Sequence, residues 1–335
     1  MSSFFQKIKL VFSDEVLRRR ILFTLVGLAL FRLLASVPIP GINTFELSRF
    51  LSNNQLFGLI NVFSGGGLSN LSIVMLGVGP YITASIIMQL STFVSDRLKR
   101  MYQEEGDAGR KKFSQYSRIL SIPLAVLQAI PFLILLQKQG VIGEMSTFTL
   151  AINVIVITAG SVLLMWLGEL ITEFGIGNGV SLIIFSGIVA SIPSTLAQTL
   201  YSFDQSQIPM YLAFAALALF TIYAVVFITE AERPIPVTYA KRMRGNKVYG
   251  GVSTYLPLRL NQAGVIPIIF ALSLLLFPQM ILNFITTSVS NPTVATVSEK
   301  ILALLANNWI YAGLYFVLVF LFTYFYTAVT FDPKQ

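Results

Sequence analysis

Few side chains in this sequence have the chemistry of catalysis. Its 335 residues include no cysteine and no histidine, so thiolate sites, histidine-based triads, haem ligation and the usual zinc sites are excluded. Ser64, in the run FSGG, resembles the nucleophile of an intramembrane serine protease, but no histidine is present to act as its base. No aspartate lies within a long apolar run, which excludes the aspartyl type. We therefore expect no enzyme, no metal site and no cofactor.

A glycine-rich stretch, GIGNG at residues 175–179, invites comparison with a nucleotide-binding loop. Its spacing is GxGxG rather than GxGxxG, and apolar runs flank it on both sides, so no strand precedes it. The stretch therefore predicts a tight turn between two membrane spans.

The composition is that of a polytopic α-helical membrane protein. Hydrophobic residues make up 55% and charged residues 11% of the chain, with a mean hydropathy of +0.75, whereas a soluble domain has about 25% charged residues. Apolar runs predict eight spans. They cover residues 21–37, 71–93, 119–136, 151–171, 180–200, 211–229, 263–285 and 308–330.

The uncharged stretch at residues 56–90 differs from an ordinary span because glycine and proline interrupt it twice, at residues 65–67 and 77–80. Residues 56–63 predict a short apolar helix whose rise of roughly 12 Å is less than a hydrocarbon core of roughly 30 Å. Irregular backbone at membrane depth is tolerated only where protein covers it or where it lines a cavity. The stretch therefore predicts a re-entrant half-helix inside a protein with an interior path.

In the predicted topology, positive charge is concentrated on one side of the membrane. The chain carries 23 lysines and arginines and a net charge of +8. Nineteen of the 23 lie at residues 1–20, 97–118, 233–259 and 334, whereas Arg49, Lys138 and Lys300 fall on the other side. By the positive-inside rule, both termini lie in the cytoplasm. Residues 1–20 predict a cytoplasmic amphipathic segment and not a cleaved signal peptide.

Two long charged loops, at residues 95–118 and 230–259, lie on the cytoplasmic side of this topology. In the second loop, β-like patterning at residues 235–239 and 247–254, joined at residues 244–246, predicts a projecting hairpin. Such a cationic hairpin suits an acidic or RNA-bearing partner. The alternative is that both loops are solvated segments that only enforce topology.

Eight motifs, in this order, carry a resemblance to a known family. They are PIPGI (38–42), FSGGGLS (63–69), PYITASIIMQL (80–90), EEGDAGRKKFSQY (104–116), MWLGELITEFGIGNGVSLIIF (165–185), TYAKRMRG (238–245), STYLPLRLNQAGVIPIIF (253–270) and FYTAVTFDPKQ (325–335). On these motifs the chain resembles the SecY family, the central subunit of the bacterial protein-conducting channel. The resemblance implies an all-α transmembrane bundle that moves unfolded secretory proteins across the plasma membrane and releases membrane-protein helices sideways into it.

The resemblance also implies partners and residue roles. The implied partners are SecE-like and SecG-like membrane subunits, the SecA motor ATPase, the ribosome, signal peptides, unfolded polypeptides and the lipid bilayer. The implied sites are a plug at residues 56–70 (Phe57, Ile60, Phe63, Gly65, Gly66), a pore ring (Val78, Ile82, Ile184, Ile269), a lateral gate (Thr83, Gln128, Asn261) and a motor or ribosome docking surface (Arg110, Lys111, Lys112, Lys241, Arg242, Arg244, Lys247). By spacing alone, the ring residues are ordinary core and the gate residues form a simple interhelical hydrogen bond.

At its end, the chain differs from the family it resembles. The family has ten spans in two halves, and eight are predicted here, so we expect a fragment or an unusual protein. The predicted domains are a cytoplasmic N-terminus (1–20), a first half with five spans and the plug (21–200), and a second half with three spans and the docking loop at 230–259 (201–335).

A secondary transporter is the alternative function, since it would also have broken helices. It would normally need ionisable groups at mid-membrane, and the predicted spans hold almost none: Glu169 and Glu173 lie near a cytoplasmic end and Arg32 near an external one.

Overall fold

The computed structural model describes most of the chain. The described residues are 13–39, 66–68, 70–138, 140–201, 207–238, 242–244, 247–249, 253–288 and 292–330. The chain divides into two compact units. One comprises Met1–Gln198 with Leu272–Ala312, and the other Thr199–Ala271 with Gly313–Gln335.

Within the described residues, the helices are α1 (Glu15–Ser36), α2 (Gly79–Val94), α3 (Asp96–Gln103), α4 (Gly106–Lys138), α5 (Thr147–Phe174), α6 (Gly179–Tyr201), α7 (Ile208–Glu230), α8 (Ile266–Ser288), α9 (Pro292–Ala306) and α10 (Asn308–Thr330). The strands are β1 (Glu232–Thr238), β2 (Arg242–Arg244), β3 (Lys247–Tyr249) and β4 (Ser253–Arg259). Each of the eight predicted spans overlaps one helix. By length and composition, α4, α5, α7 and α10 are long and apolar enough to cross a membrane, and α6 and α8 contain shorter apolar stretches. The count of eight spans stays a prediction.

The second predicted span is shorter than expected. We predicted it from residue 71, but residues 70–78 form turns and α2 begins only at Gly79. Gly77 has a φ of 58°, which glycine adopts readily, and Pro80 lies in the first turn of α2, where its missing N–H is tolerated. The sequence breaks at residues 77–80 thus mark the start of the helix and not a kink within it.

The first charged loop was predicted as a loop, and this was wrong. Residues 95–118 are mostly helical, because α3 occupies the loop and α4 begins at Gly106, well before its apolar part. Met101 on α3 packs with Met88 and Phe113 in a buried cluster, and the Tyr102 and Phe113 rings lie 4.9 Å apart. A few apolar residues among many charges therefore fold this segment onto the end of the bundle.

The second charged loop forms the predicted hairpin, with different strand limits. β1 pairs with β4 antiparallel from Glu232↔Arg259 to Thr238↔Ser253, and β2 pairs with β3 up to Arg244↔Lys247. The predicted strand at 247–254 is therefore two short strands. Gly245 and Asn246, predicted as the turn, lie outside the described residues.

The GIGNG stretch is a turn, as predicted. It connects α5 to α6, with Gly177 at a φ of 70°. Two hydroxyls hold it: Thr24 Oγ1 accepts from Ile176 N at 3.1 Å, and Thr172 Oγ1 accepts from Gly179 N at 2.8 Å. A side chain at Gly179 would overlap the Gly168 carbonyl oxygen, so the spacing of these glycines follows from close helix packing.

The core of the first unit lies where α4 and α5 pack together. α2 and α3 pack on α4, and α1 packs on α5. The main buried cluster includes Leu133 and Leu136 of α4, Ile157 of α5, and Leu68, Leu71 and Met75 of the turns that precede α2. The irregular segment therefore belongs to the core.

Candidate pore region

The turns at residues 66–68 and 70–78, called here the turn segment, contain several almost completely buried side chains. Leu71, Val74 and Met75 are 0% exposed, and Leu68 and Val78 are 1% exposed. Their backbone groups bond mainly within the segment, as from Gly77 N to Val74 O at 2.8 Å. Irregular backbone at membrane depth would require such cover by protein.

The turn segment is tied to the end of α1 by backbone hydrogen bonds. Ile39 N donates to Leu71 O at 2.9 Å, and Ile73 N donates to Val37 O at 3.0 Å. Leu71 has a φ of 40°, the only positive φ of a non-glycine among the described residues, and such a conformation persists where its surroundings determine it. The chain after the predicted plug is therefore fixed in place.

Arg32, a charged residue in the first predicted span, lies beside the turn segment. A Cβ at Gly66 would be 3.5 Å from Arg32 Nη1, and Gly66 has a φ of 82°. The guanidinium carbon lies 5.9 Å from the centre of the Phe31 ring. We predicted only that Arg32 lies near the external end of its span, and no local pattern indicated its proximity to Gly66.

Three of the four predicted ring residues are buried in the first unit. Val78, at the N-cap of α2, is 1% exposed, and Ile82, one turn later, and Ile184 on α6 are each 8% exposed. Ile269 on α8 is partly buried and belongs to the second unit. Burial fits both a ring and an ordinary core, so the ring stays a prediction.

The predicted gate residues have different local environments. Thr83 Oγ1 donates to Gly79 O at 3.0 Å, within its own helix. Gln128 is 9% exposed on α4, the helix against which α2 packs. Asn261, in the second unit, precedes α8, and its Oδ1 accepts from Gly264 N at 3.0 Å. Thr83 and Asn261 thus each have a local partner, and the clasp between them stays a prediction.

The predicted docking cations lie on two elements. Arg110, Lys111 and Lys112 are exposed on the first turns of α4. Arg242 and Arg244 lie on β2, and Lys247 lies on β3 directly opposite Arg244 in the ladder. Lys241 lies outside the described residues, as do the plug residues Phe57, Ile60, Phe63 and Gly65.

Two features near the site were missed by the sequence analysis. Arg118 Nε lies 2.6 Å from Glu169 Oε1, an ion pair that joins α4 to α5. Gly160 on α5 lies so close to the turn segment that a Cβ there would overlap the Ile73 carbonyl oxygen. The 51-residue separation of the ion pair left no local signal for it. Small residues in the fourth predicted run, residues 151–171, were the available signal for close packing.

Comparison with known proteins agrees with this architecture. The SecY family matches residues 72–335. The SecY subunit of the protein translocase of Mycobacterium tuberculosis is 44% identical over 335 residues, covering 95% of this chain and 75% of that protein. The corresponding subunit of Corynebacterium glutamicum is 41% identical over 339 residues, covering 97% of this chain and 76% of that protein.

A solved protein-conducting channel has the same fold. It aligns with a TM-score of 0.59 and 20% identity, covering 81% of this chain and 59% of that one. The chain thus spans less than two thirds of that channel, and about three quarters of its curated relatives. Since the family matches most of the chain and relatives above 40% identity cover nearly all of it, the protein belongs to the SecY family of translocase subunits.

Proposed function

We propose that this chain forms the conducting path of a protein translocase, through which unfolded secretory proteins cross the plasma membrane and from which apolar helices leave sideways. The observation that carries the proposal is the turn segment, an irregular backbone enclosed by apolar helices in a chain of the SecY family. The near absence of ionisable groups from the predicted spans disfavours a solute transporter. The family consists of channel subunits and not of enzymes.

The pore ring is the first part of the proposal. Val78, Ile82, Ile184 and Ile269 carry branched aliphatic side chains, which would close on a moving chain without forming fixed hydrogen bonds, and a hydrophobic constriction resists water and ions by dewetting. The plug at residues 56–70 would close the path on the external side, with Phe57, Ile60 and Phe63 as one apolar face.

Ion conductance of the resting channel tests the ring and the plug. In the full-length protein in a planar bilayer, Ile82→Ser should raise the resting conductance about tenfold, because a hydroxyl wets the constriction. Ile87→Ser is the matched control, since Ile87 lies on the same helix but is 38% exposed. Charged replacements at Ile60 or Phe63 should also raise the leak. Equal conductance of the wild type and Ile82→Ser would refute the ring.

The lateral gate is proposed at Thr83, Gln128 and Asn261. Asn261→Leu removes a polar contact worth roughly 0.6 kcal/mol, about a threefold change in the open population. Because Asn261 Oδ1 also accepts from Gly264 N, Asn261→Asp is a further comparison: it keeps that acceptor, loses the amide donor and adds a negative charge. We expect export of a reporter with a weakened signal sequence to differ between Leu, Ser and Asn at this position. Equal export would place the gate elsewhere.

Docking to the ribosome or the SecA motor is proposed for the cations of α4 and of the hairpin. Reversing Lys241, Arg242 and Arg244 together should weaken binding, and binding of the wild type should fall as salt rises. Reversing Arg110, Lys111 and Lys112 in a second variant separates the two surfaces. If neither salt nor either reversal changed binding, these cations would only be solvated and would not dock a partner.

Location and membrane partners complete the proposal. We place the chain in a bacterial inner membrane with its N-terminus in the cytoplasm, on the basis of its charge asymmetry. Labelling of Gly245→Cys from outside intact cells would overturn this orientation, and the cysteine-free chain provides a clean background. SecE-like and SecG-like subunits are the expected partners, and α7, which buries no residue, is available to such a partner.

A further inference from the structure

Helix α9 carries an exposed apolar stripe formed by Val294, Val297, Ile301 and Leu304. These side chains are 40%, 53%, 39% and 56% exposed, respectively. At about 100° per residue, the four fall within about 80° of arc on one face of the helix. Single exposed apolar residues are ordinary on a protein surface, but a continuous stripe at helical spacing on one side of a helix predicts an apolar environment.

The other two sides of α9 differ from the stripe. Ser298 is 4% exposed, and Leu302 and Leu305, on the same side, are partly buried, so this side packs on the protein. Glu299 is exposed about 180° from the middle of the stripe, and Lys300 is exposed about 80° from it. A lysine at the flank of an apolar face can extend its ammonium toward phosphates while its methylenes stay in apolar surroundings. Glu299 thus lies on the side away from the stripe, and Lys300 lies beside the stripe.

A short, hydrogen-bonded corner connects α9 to α10. Only Asn307 separates the two helices, and its Oδ1 accepts from Trp309 N at 3.0 Å. Asn307 N also donates to Leu304 O at 3.2 Å, which closes the corner. Trp309, in the first turn of α10, is 88% exposed, and tryptophan is enriched where spans enter the interface. The other end of α9 follows α8 by three residues.

From these three observations we infer that α9 is an interfacial helix whose apolar stripe lies in the boundary between lipid headgroups and acyl chains. The ligand is the bilayer surface on the side opposite the cationic loops, and interfacial helices bury such a face about 5–10 Å deep. The inference requires only that α10 spans the membrane, and it is independent of the proposed channel function. It predicts that α9 holds the external ends of α8 and α10 at a fixed depth.

Site-specific fluorescence tests this inference. The probe is NBD attached to single cysteines, at Val297→Cys in the stripe and at Glu299→Cys on the opposite side, in the full-length protein. The protein is reconstituted in vesicles of phosphatidylethanolamine and phosphatidylglycerol, with nitroxide on the lipid acyl chain near the headgroup as quencher. We expect nitroxide quenching at position 297 to exceed that at position 299 by about threefold, and aqueous iodide to quench in the reverse order.

Each other outcome overturns the inference. Strong iodide quenching at both positions would place α9 in water. A blue-shifted signal at position 297 that neither quencher reaches would mean that another protein chain covers the stripe. If a labelled variant does not fold, Ile301→Cys and Ala303→Cys in native membranes provide a second test with a membrane-impermeant maleimide. We expect labelling at position 303, on the exposed polar side, and at least threefold less at position 301; equal labelling would contradict the inference.

Discussion

Helices α5 and α7 are both long and apolar enough to cross a membrane, yet their surroundings differ completely. Half of the most apolar part of α5 is buried inside the protein, whereas none of that of α7 is. Asn153, Ser161 and Thr158 of α5 are buried, and α7 has no buried residue. Apolar character thus identifies a helix that belongs in a membrane, but it does not say whether protein or lipid surrounds that helix.

Glycines at close helix contacts distinguish α5 from α7. Gly160 and Gly168 of α5 allow the turn segment and Val180 of α6 to approach its backbone, and α7 contains no glycine. Because lipid tails are as apolar as leucine, helices in a bilayer associate by close packing and not by burial of apolar surface. We therefore expect α7, which has no glycine for such close approach, to gain less from a neighbouring helix than α5 does. Substitutions made in matched pairs on α5 or its contacts and on α7 test this explanation.

The largest effect is expected from Gly160→Val. Its side chain would overlap the Ile73 carbonyl oxygen and would press on Val74, so unfolding in detergent mixtures should become easier by about 3 kcal/mol. Ala216→Val on the exposed surface of α7 is the matched control, and it should change the free energy of unfolding by less than about 0.5 kcal/mol. Similar losses for both variants would show that packing does not distinguish the two helices.

An intermediate effect is expected from Thr24→Val. Thr24 Oγ1 accepts a hydrogen bond from Ile176 N and donates one to Arg20 O, so the substitution should cost about 1 kcal/mol of unfolding free energy. Thr221→Val on α7 removes only a hydroxyl that donates to Leu217 O of its own helix. Unfolding in detergent mixtures measures both variants. If Thr24→Val is no more destabilised than Thr221→Val, the comparison between the two helices fails.

The smallest effect is expected from the ion pair between α4 and α5. The Arg118 and Glu169 side chains are 43% and 21% exposed, so Glu169→Gln should cost about 0.5 kcal/mol at low salt and less at high salt. A double-mutant cycle with Arg118→Gln measures the coupling. A coupling energy that does not decrease with salt would indicate a pair shielded from solvent.

Local sequence patterns predicted the helices, turns and strands well, but they predicted poorly which segments pack against one another. The eight apolar runs each overlap a helix, and the GIGNG turn and the hairpin are present, because each depends on adjacent residues. The loop prediction at residues 95–118 failed because the apolar positions Met101 and Phe113 meet Met88 across the chain. The plug at residues 56–65 lies outside the described residues, and the ring, gate and docking residues came from resemblance to a family and not from spacing.

The sequence by itself determined that the chain is a helical membrane protein without catalytic histidine or cysteine chemistry, and that its backbone is interrupted near residues 65–80. Composition and the positions of glycine and proline suffice for this, since they act on the residues where they occur. Only the tertiary structure decided that the interrupted segment is enclosed, that Ile39 and Val37 hold it, and that Glu169 pairs with Arg118. These contacts join residues far apart in the chain, and no local pattern of residue types encodes which distant partner a backbone group or charge will meet.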